Sequence, residues 1–227
     1  MKKLVTFGDS FTYGEELAER SDAWPQQLAN KLHYETLNFG EPGTCNDSMV
    51  RKLLEFLADP VQNVDVGLVV IAWSNPGRRE YADEAGVYTI WPGANAAKFK
   101  KDMLWREDLV NYVNEYHNTR WFCQNYVNNV IIAQSVLRDR GIPYLMLDIV
   151  HNEYYKNLHL ASLAPLCKLV DTSKYIGWGN SGMAEWVGKV KRGTGGHFLE
   201  EGHRVVADRI YEYYKIDGQF LLLDKCI

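Results

Sequence analysis

Leu4-Val5-Thr6-Phe7-Gly8-Asp9-Ser10-Phe11-Thr12-Tyr13-Gly14 is the stretch whose reading decides the fold. Its first four residues are apolar or β-branched, so they read as a buried strand, and the glycines at 8 and 14 bracket a sharp exit from it. Ser10 then falls at the carboxyl edge of a sheet. In open α/β sheets that edge holds the ligand crevice, because the loops leaving the strands part there. A strand that runs into a Gly-Asp-Ser turn also occurs in proteins without catalysis, so this serine needs partners before it is assigned chemistry.

Outward from this stretch, strands and helices alternate. Ala23 to Leu32 carries helix formers, with Ser21 or Asp22 as N-cap and Pro25 tolerated in the first turn. Tyr34 to Asn38 reads as a second strand that ends in the breaker-rich Phe39-Gly40-Glu41-Pro42-Gly43. Asn46 to Leu57 follows as a helix with Met49, Leu53 and Leu57 on one stripe. Asp65 to Trp73, dominated by Val, Leu and Ile, is the clearest buried strand. This alternation predicts a parallel sheet.

From Pro76 to about Trp105 the pattern gives way to Gly, Pro, charges and the aromatics Tyr81, Tyr88, Trp91 and Trp105. Long loops inside compact domains are commonly functional, so residues 76–106 read as a lid or binding insertion. Glu107 to Arg140 is helical with a break near Asn118-Thr119, and Gly141-Ile142-Pro143 stops it. Tyr144 to Val150 is a fourth strand, Met183 to Val187 a short helix and Glu200 to Tyr214 a closing helix. Residues 1–227 read as one domain.

Composition narrows the function classes. With 227 residues the chain is long enough for a sizeable core. Its net charge of −4 gives no reason to expect nucleic acid, which needs clustered Lys and Arg. No apolar run approaches the roughly 18 residues of a membrane span, and Met1-Lys2-Lys3 leads into no signal-peptide pattern, so a cytoplasmic protein is expected. Cys45, Cys123, Cys167 and Cys226 match no zinc spacing and read as free thiols, with Cys45 a buried one. Asp148, His151, Glu153 and His159 likewise fit no zinc pattern, and none of the four strands read here is followed by G-x-G-x-x-G, so neither metal nor cofactor is expected.

A nucleophilic serine requires a base within hydrogen-bond reach and donors aimed at the developing oxyanion. The candidate base is His197, in Gly195-Gly196-His197-Phe198-Leu199-Glu200-Glu201-Gly202-His203, just ahead of the closing helix. His203 falls within that helix and reads as a packing residue; His33, His117 and His159 carry no partner spacing. The candidate oxyanion donors are the backbone N–H groups of Ser10 and Gly43 and the side-chain amide of Asn75.

These residues resemble the motif blocks of the SGNH (GDSL-type) hydrolases. Phe7-Gly8-Asp9-Ser10 resembles the first block, Asn38-Phe39-Gly40-Glu41-Pro42-Gly43 the second, Trp73-Ser74-Asn75 the third, and His197 with Gly202-His203 the last. The resemblance implies a three-layer α/β/α, flavodoxin-like fold with a central five-stranded parallel sheet and an insertion after the third strand. It also implies that Ser10 attacks an ester carbonyl, that His197 takes and returns the proton, and that Ser10, Gly43 and Asn75 form the oxyanion hole. The expected partner is a small-molecule or glycan ester.

Two departures stand out. The third block has Trp73 before its Ser-Asn pair and Pro76 after it, where the family has glycine and aspartate around the asparagine. In the last block Thr194 stands where the family places an aspartate, three residues before the histidine. An orienting carboxylate must then come from Asp148 or Glu200, or a backbone carbonyl near Thr194 must hold the imidazole instead. Two functional readings result: a serine esterase acting on an O-acyl group of a carbohydrate or similarly polar substrate, and a weak or inactive binding or assembly module on the same fold. Thr194 favours the second.

Overall fold

The structure, a computed structural model, describes residues 1–84, 86–90, 107–116, 118–149 and 162–223. Trp91, Trp105 and the rest of 91–106 in the expected lid, along with His117, His151, Glu153, His159 and Cys226, lie outside the described residues.

In chain order the elements are β1 (Lys3–Gly8), α1 (Ser10–Tyr13), α2 (Trp24–Leu32), β2 (Glu35–Gly40), α3 (Asn46–Ala58), β3 (Val66–Trp73), β4 (Arg79–Asp83), β5 (Gly86–Ile90), α4 (Glu107–Glu115), α5 (Thr119–Asp139), β6 (Tyr144–Asp148), α6 (Ala164–Cys167), β7 (Tyr175–Ile176), α7 (Met183–Val187) and α8 (Glu200–Leu223). β2, β1, β3, β6 and β7 pair in that order, all parallel, as one five-stranded sheet. The expected break in the long helix falls at Asn118, whose side chain caps α5 by accepting from Trp121 N–H at 2.9 Å.

Period-two alternation along each strand divides the core. Val5 and Phe7 of β1 and Val69, Ile71 and Trp73 of β3 face α3 and α5. Leu4, Leu68, Val70 and Ala72, one step out of phase, face α2, α7 and α8. Because helices cover both faces, the central strands carry no polar face, and this is why β3 reads as an unbroken apolar run. His203 is fully buried on α8 and accepts from Trp24 N–H at 3.2 Å, tying that helix to α2.

The first half of the expected insertion is ordered differently from a loop. β4 and β5 form an antiparallel hairpin, and Tyr81 packs with Ile90, Val110 and Val113 in a small core of its own. Arg51 binds Glu80 and Arg79 binds Asp47, so the hairpin is clamped to α3.

The sheet order reverses at β1, whose neighbours are β2 on one side and β3 on the other, so the crevice opens between the ends of β1 and β3. Gly8 closes β1 there, and a Cβ on it would lie 2.0 Å from Thr12 Oγ1 and 2.6 Å from Thr12 Cβ. Only glycine lets α1 fold back this tightly. Gly8→Ala is expected to destabilise the protein by about 1–3 kcal/mol in urea unfolding, the usual cost of overpacking; an unchanged midpoint would show that the turn has room to shift.

Candidate active site

The site begins at the turn after β1. Asp9 is extended and caps α1 by accepting from Phe11 N–H at 3.1 Å, which leaves Ser10 as the first helical residue, 6% exposed. Gly14 ends α1 in the left-handed region at φ +84°. Two residues later Glu16 takes φ +68°, a conformation that costs a residue with a side chain about 1–2 kcal/mol. The turn sends the Glu16 side chain to the loop ahead of α8.

That loop is built to receive it. Gly195 N–H donates to Glu16 Oε1 at 2.8 Å, and the Thr194 hydroxyl donates to the same oxygen at 2.9 Å. His197 N–H donates to Oε2 at 3.2 Å. A Cβ on Gly193 would lie 2.4 Å from the Glu16 carboxyl carbon, so the approach requires glycine there. The His197 ring completes the arrangement: Nδ1 lies 2.9 Å from Glu16 Oε2, and Nε2 lies 2.9 Å from Ser10 Oγ. A carboxylate only accepts, so Nδ1 carries the proton and Nε2 is left as the acceptor facing the serine hydroxyl.

Glu16 titrates far below its ordinary 4.5, at about 2. The Gly195 N–H is the largest cause and the His197 ring the next, with desolvation opposing them and the His197 N–H and Thr194 hydroxyl adding to them.

Neither expected carboxylate occupies this position. Asp148 ends β6 fully buried, and its Oδ1 accepts from Tyr126 at 2.8 Å and Tyr175 at 2.7 Å. Those bonds fix it within the core beneath Trp178, which stacks on Tyr126. Glu200 is an exposed first residue of α8, where a carboxylate suits the helix N-terminus. Glu16 was missed in the sequence because nothing in its spacing marks it. The available signal was the run Gly193-Thr194-Gly195-Gly196, which leaves room for a side chain from elsewhere.

The oxyanion candidates sit on loops that side-chain bonds hold together. Asp9 Oδ2 accepts from Ser74 Oγ at 2.7 Å and from Arg78 Nη1 at 3.1 Å, and Arg78 Nη1 also donates to Thr44 O at 3.2 Å. Asn46 and Ser74 exchange two bonds, of 3.0 and 2.8 Å. The turn after β1, the loop before α3 and the exit of β3 are thus tied to one another. Gly43 lies in the second of these at φ +79°, with open space where a Cβ would be. Asn75 lies in the third; its Oδ1 accepts from Gly77 N–H at 2.7 Å, and among the described residues its amide nitrogen makes no hydrogen bond.

Comparisons with known proteins agree with this architecture. A model described as a family of unknown function (DUF6071) matches residues 11–220. A search of curated protein sequences found no match. Among solved structures, the psychrotrophic esterase EstA from Pseudoalteromonas sp., inhibited by monoethylphosphonate, superposes with a TM-score of 0.54 at 12% identity, over 95% of this chain and 97% of that one. A member of the lipolytic protein G-D-S-L family from Veillonella parvula gives 0.50 at 12% identity, over 93% and 97%. A two-domain esterase active on acetylated mannans, co-crystallised with mannopentaose, gives 0.52 at 14% identity, over 96% of this chain and 50% of that one. The likeness is one of fold: the chain has the α/β architecture of the GDSL esterases.

The Glu16 geometry has a consequence for acid stability. A carboxyl whose folded value is depressed stabilises the fold fully above its ordinary 4.5, and loses that contribution as pH falls towards about 2. The stability difference between wild type and Glu16→Gln is therefore expected to shrink between pH 4.5 and about 2 in urea titrations. A difference independent of pH over that window would contradict the bonding described.

Proposed function

The chain belongs to the family of unknown function DUF6071, and we propose that it is a serine esterase of the SGNH type working through Ser10, His197 and Glu16. The observation that carries this reading is the unbroken line of hydrogen bonds from Ser10 Oγ through both ring nitrogens of His197 to Glu16.

In the proposed reaction Ser10 Oγ attacks the ester carbonyl carbon while its proton passes to His197 Nε2. The carbonyl oxygen becomes an oxyanion that accepts from the backbone N–H groups of Ser10 and Gly43 and from the Asn75 amide. Collapse of the tetrahedral species breaks the bond to the alcohol oxygen, which takes the proton from Nε2 and leaves. Water then attacks the acyl-serine, with Nε2 as base, and releases the carboxylic acid and the free hydroxyl. Glu16 remains ionised throughout, holding the ring tautomer and facing the imidazolium as it forms.

The substrate in this reading is an O-acylated carbohydrate or a similarly polar alcohol. The aromatic residues between β3 and α4 favour it, since aromatic faces suit sugar rings, and the fold likeness to an esterase active on acetylated mannans supports it. The rival reading of an inactive binding module rests on Thr194. Its weight falls once a carboxylate reaches Nδ1 from Glu16, with the Thr194 hydroxyl as one of that carboxylate's donors.

Incubation with a fluorophosphonate, followed by intact mass, is expected to give a single adduct on Ser10. Hydrolysis of a short-chain aryl acetate is expected to vanish in Ser10→Ala and His197→Ala, and kcat to fall about ten-thousandfold in Glu16→Gln, as when a triad loses its carboxylate. An unlabelled Ser10, or undiminished hydrolysis in Ser10→Ala, would overturn the esterase reading.

A further inference from the structure

Glu15 has no part in the hydrogen-bonded line of the proposed triad, yet its Oε2 lies 3.6 Å from His197 Nε2. This is the ring nitrogen that faces Ser10 Oγ at 2.9 Å. Glu15 N–H donates to the Ser10 carbonyl at 3.0 Å, which places the residue on the turn that carries the serine. The Glu15 side chain is 40% exposed, so it borders the crevice and does not pack into the core.

The neighbouring charges are already engaged. Glu16 is held by Thr194, Gly195 and His197, and Asp9 by Ser74 and Arg78. Arg20 lies over the Tyr13 ring at 3.8 Å and donates to the Gly14 carbonyl. Arg192 lies over the Phe198 ring at 4.8 Å and donates to the Gly196 carbonyl at 3.2 Å. Among the described residues Glu15 is the carboxylate beside Nε2 itself.

In a serine esterase Nε2 delivers the proton to the departing alcohol oxygen, so a carboxylate 3.6 Å from Nε2 stands beside the leaving alcohol, not beside the acyl chain. We propose that Glu15 is a specificity residue for the alcohol half of the ester. It favours alcohols that carry a positive charge or a hydrogen-bond donor next to the ester oxygen and rejects those that carry an anionic group there. A like-charge contact is the repulsive element such discrimination needs, and an amino or vicinal hydroxyl group supplies the attractive one. Glu15 is partly exposed, so its influence is confined within about 8 Å at physiological salt and weakens as salt rises. The inference rests on the esterase reading and adds to it which side of the substrate is read, and by what.

Three acetate esters of similar shape test it: acetylcholine, its uncharged isostere 3,3-dimethylbutyl acetate, and the anionic 2-sulfoethyl acetate. In wild type kcat/KM is expected to fall in that order, with about tenfold between the cation and the anion at low salt and less at high salt. In Glu15→Gln the ratio is expected to collapse to within about twofold, while Glu212→Gln, an equal charge change on the exposed face of α8, keeps the wild-type ratio. Equal rates on all three esters, a ratio unchanged in Glu15→Gln, or the same collapse in Glu212→Gln would overturn the proposal. Hydrolysis of none of the three would overturn it as well, whereas the esterase reading is judged separately by phosphonylation of Ser10.

Discussion

The hydrogen bond between Glu16 and His197 joins residues 181 positions apart, and the candidate site depends on it. A loop with glycine at 193, 195 and 196 has little intrinsic order, and an imidazole at its end has many orientations to lose. Glu16 restrains both: its carboxylate collects two backbone N–H groups, a hydroxyl and the ring N–H, all charge-assisted bonds. Those bonds offset the left-handed backbone that Glu16 must adopt. They also connect the loop directly to the turn that carries Ser10, so Ser10, His197 and Glu16, the proposed nucleophile, base and acid, are positioned by two segments in contact.

The sheet supplies the platform beneath. Alternating apolar residues on β1 and β3 bury both faces, which fixes where each strand ends and therefore where Ser10 and Asn75 emerge. The buried Asp9 then acts as a fastener between loops. A lone buried carboxylate is costly, and Asp9 is accommodated by Arg78, Ser74 and the Phe11 N–H, which come from both sides of the crevice. In this arrangement the residue before the serine both caps the turn that carries Ser10 and ties it to the exit of β3.

Much of this was legible in the sequence, and the exceptions have physical causes. β1, β3 and β6 announced themselves because strands covered on both faces must be largely apolar along their length. The fifth strand, Tyr175–Ile176, did not, since two residues pairing with Met146 and Leu147 leave no pattern. The β4–β5 hairpin was hidden among charges that prove to be its clamps onto α3. At the candidate site Ser10, Gly43, Asn75 and His197 stand out as candidates from their places at the ends of successive segments, and the bond between Ser10 and His197 joins two of them. Glu16 was not, because its role comes from one left-handed residue in an irregular turn, and tertiary contact alone brings it to the histidine. Asp148 attracted attention as a carboxylate closing a strand, but two tyrosines hold it inside the core.

The most direct test of the central claim is proton NMR of the histidine Nδ1–H in the folded protein. An imidazole N–H held by a carboxylate exchanges slowly and resonates far downfield of ordinary amides. Wild type is expected to show one such resonance, absent in His197→Ala and lost or moved strongly upfield in Glu16→Gln, with no comparable change in Asp148→Asn or Glu200→Gln. A resonance that persists unmoved in Glu16→Gln, or one that vanishes in Asp148→Asn while the protein stays folded, would contradict the assignment of Glu16 as the partner of His197.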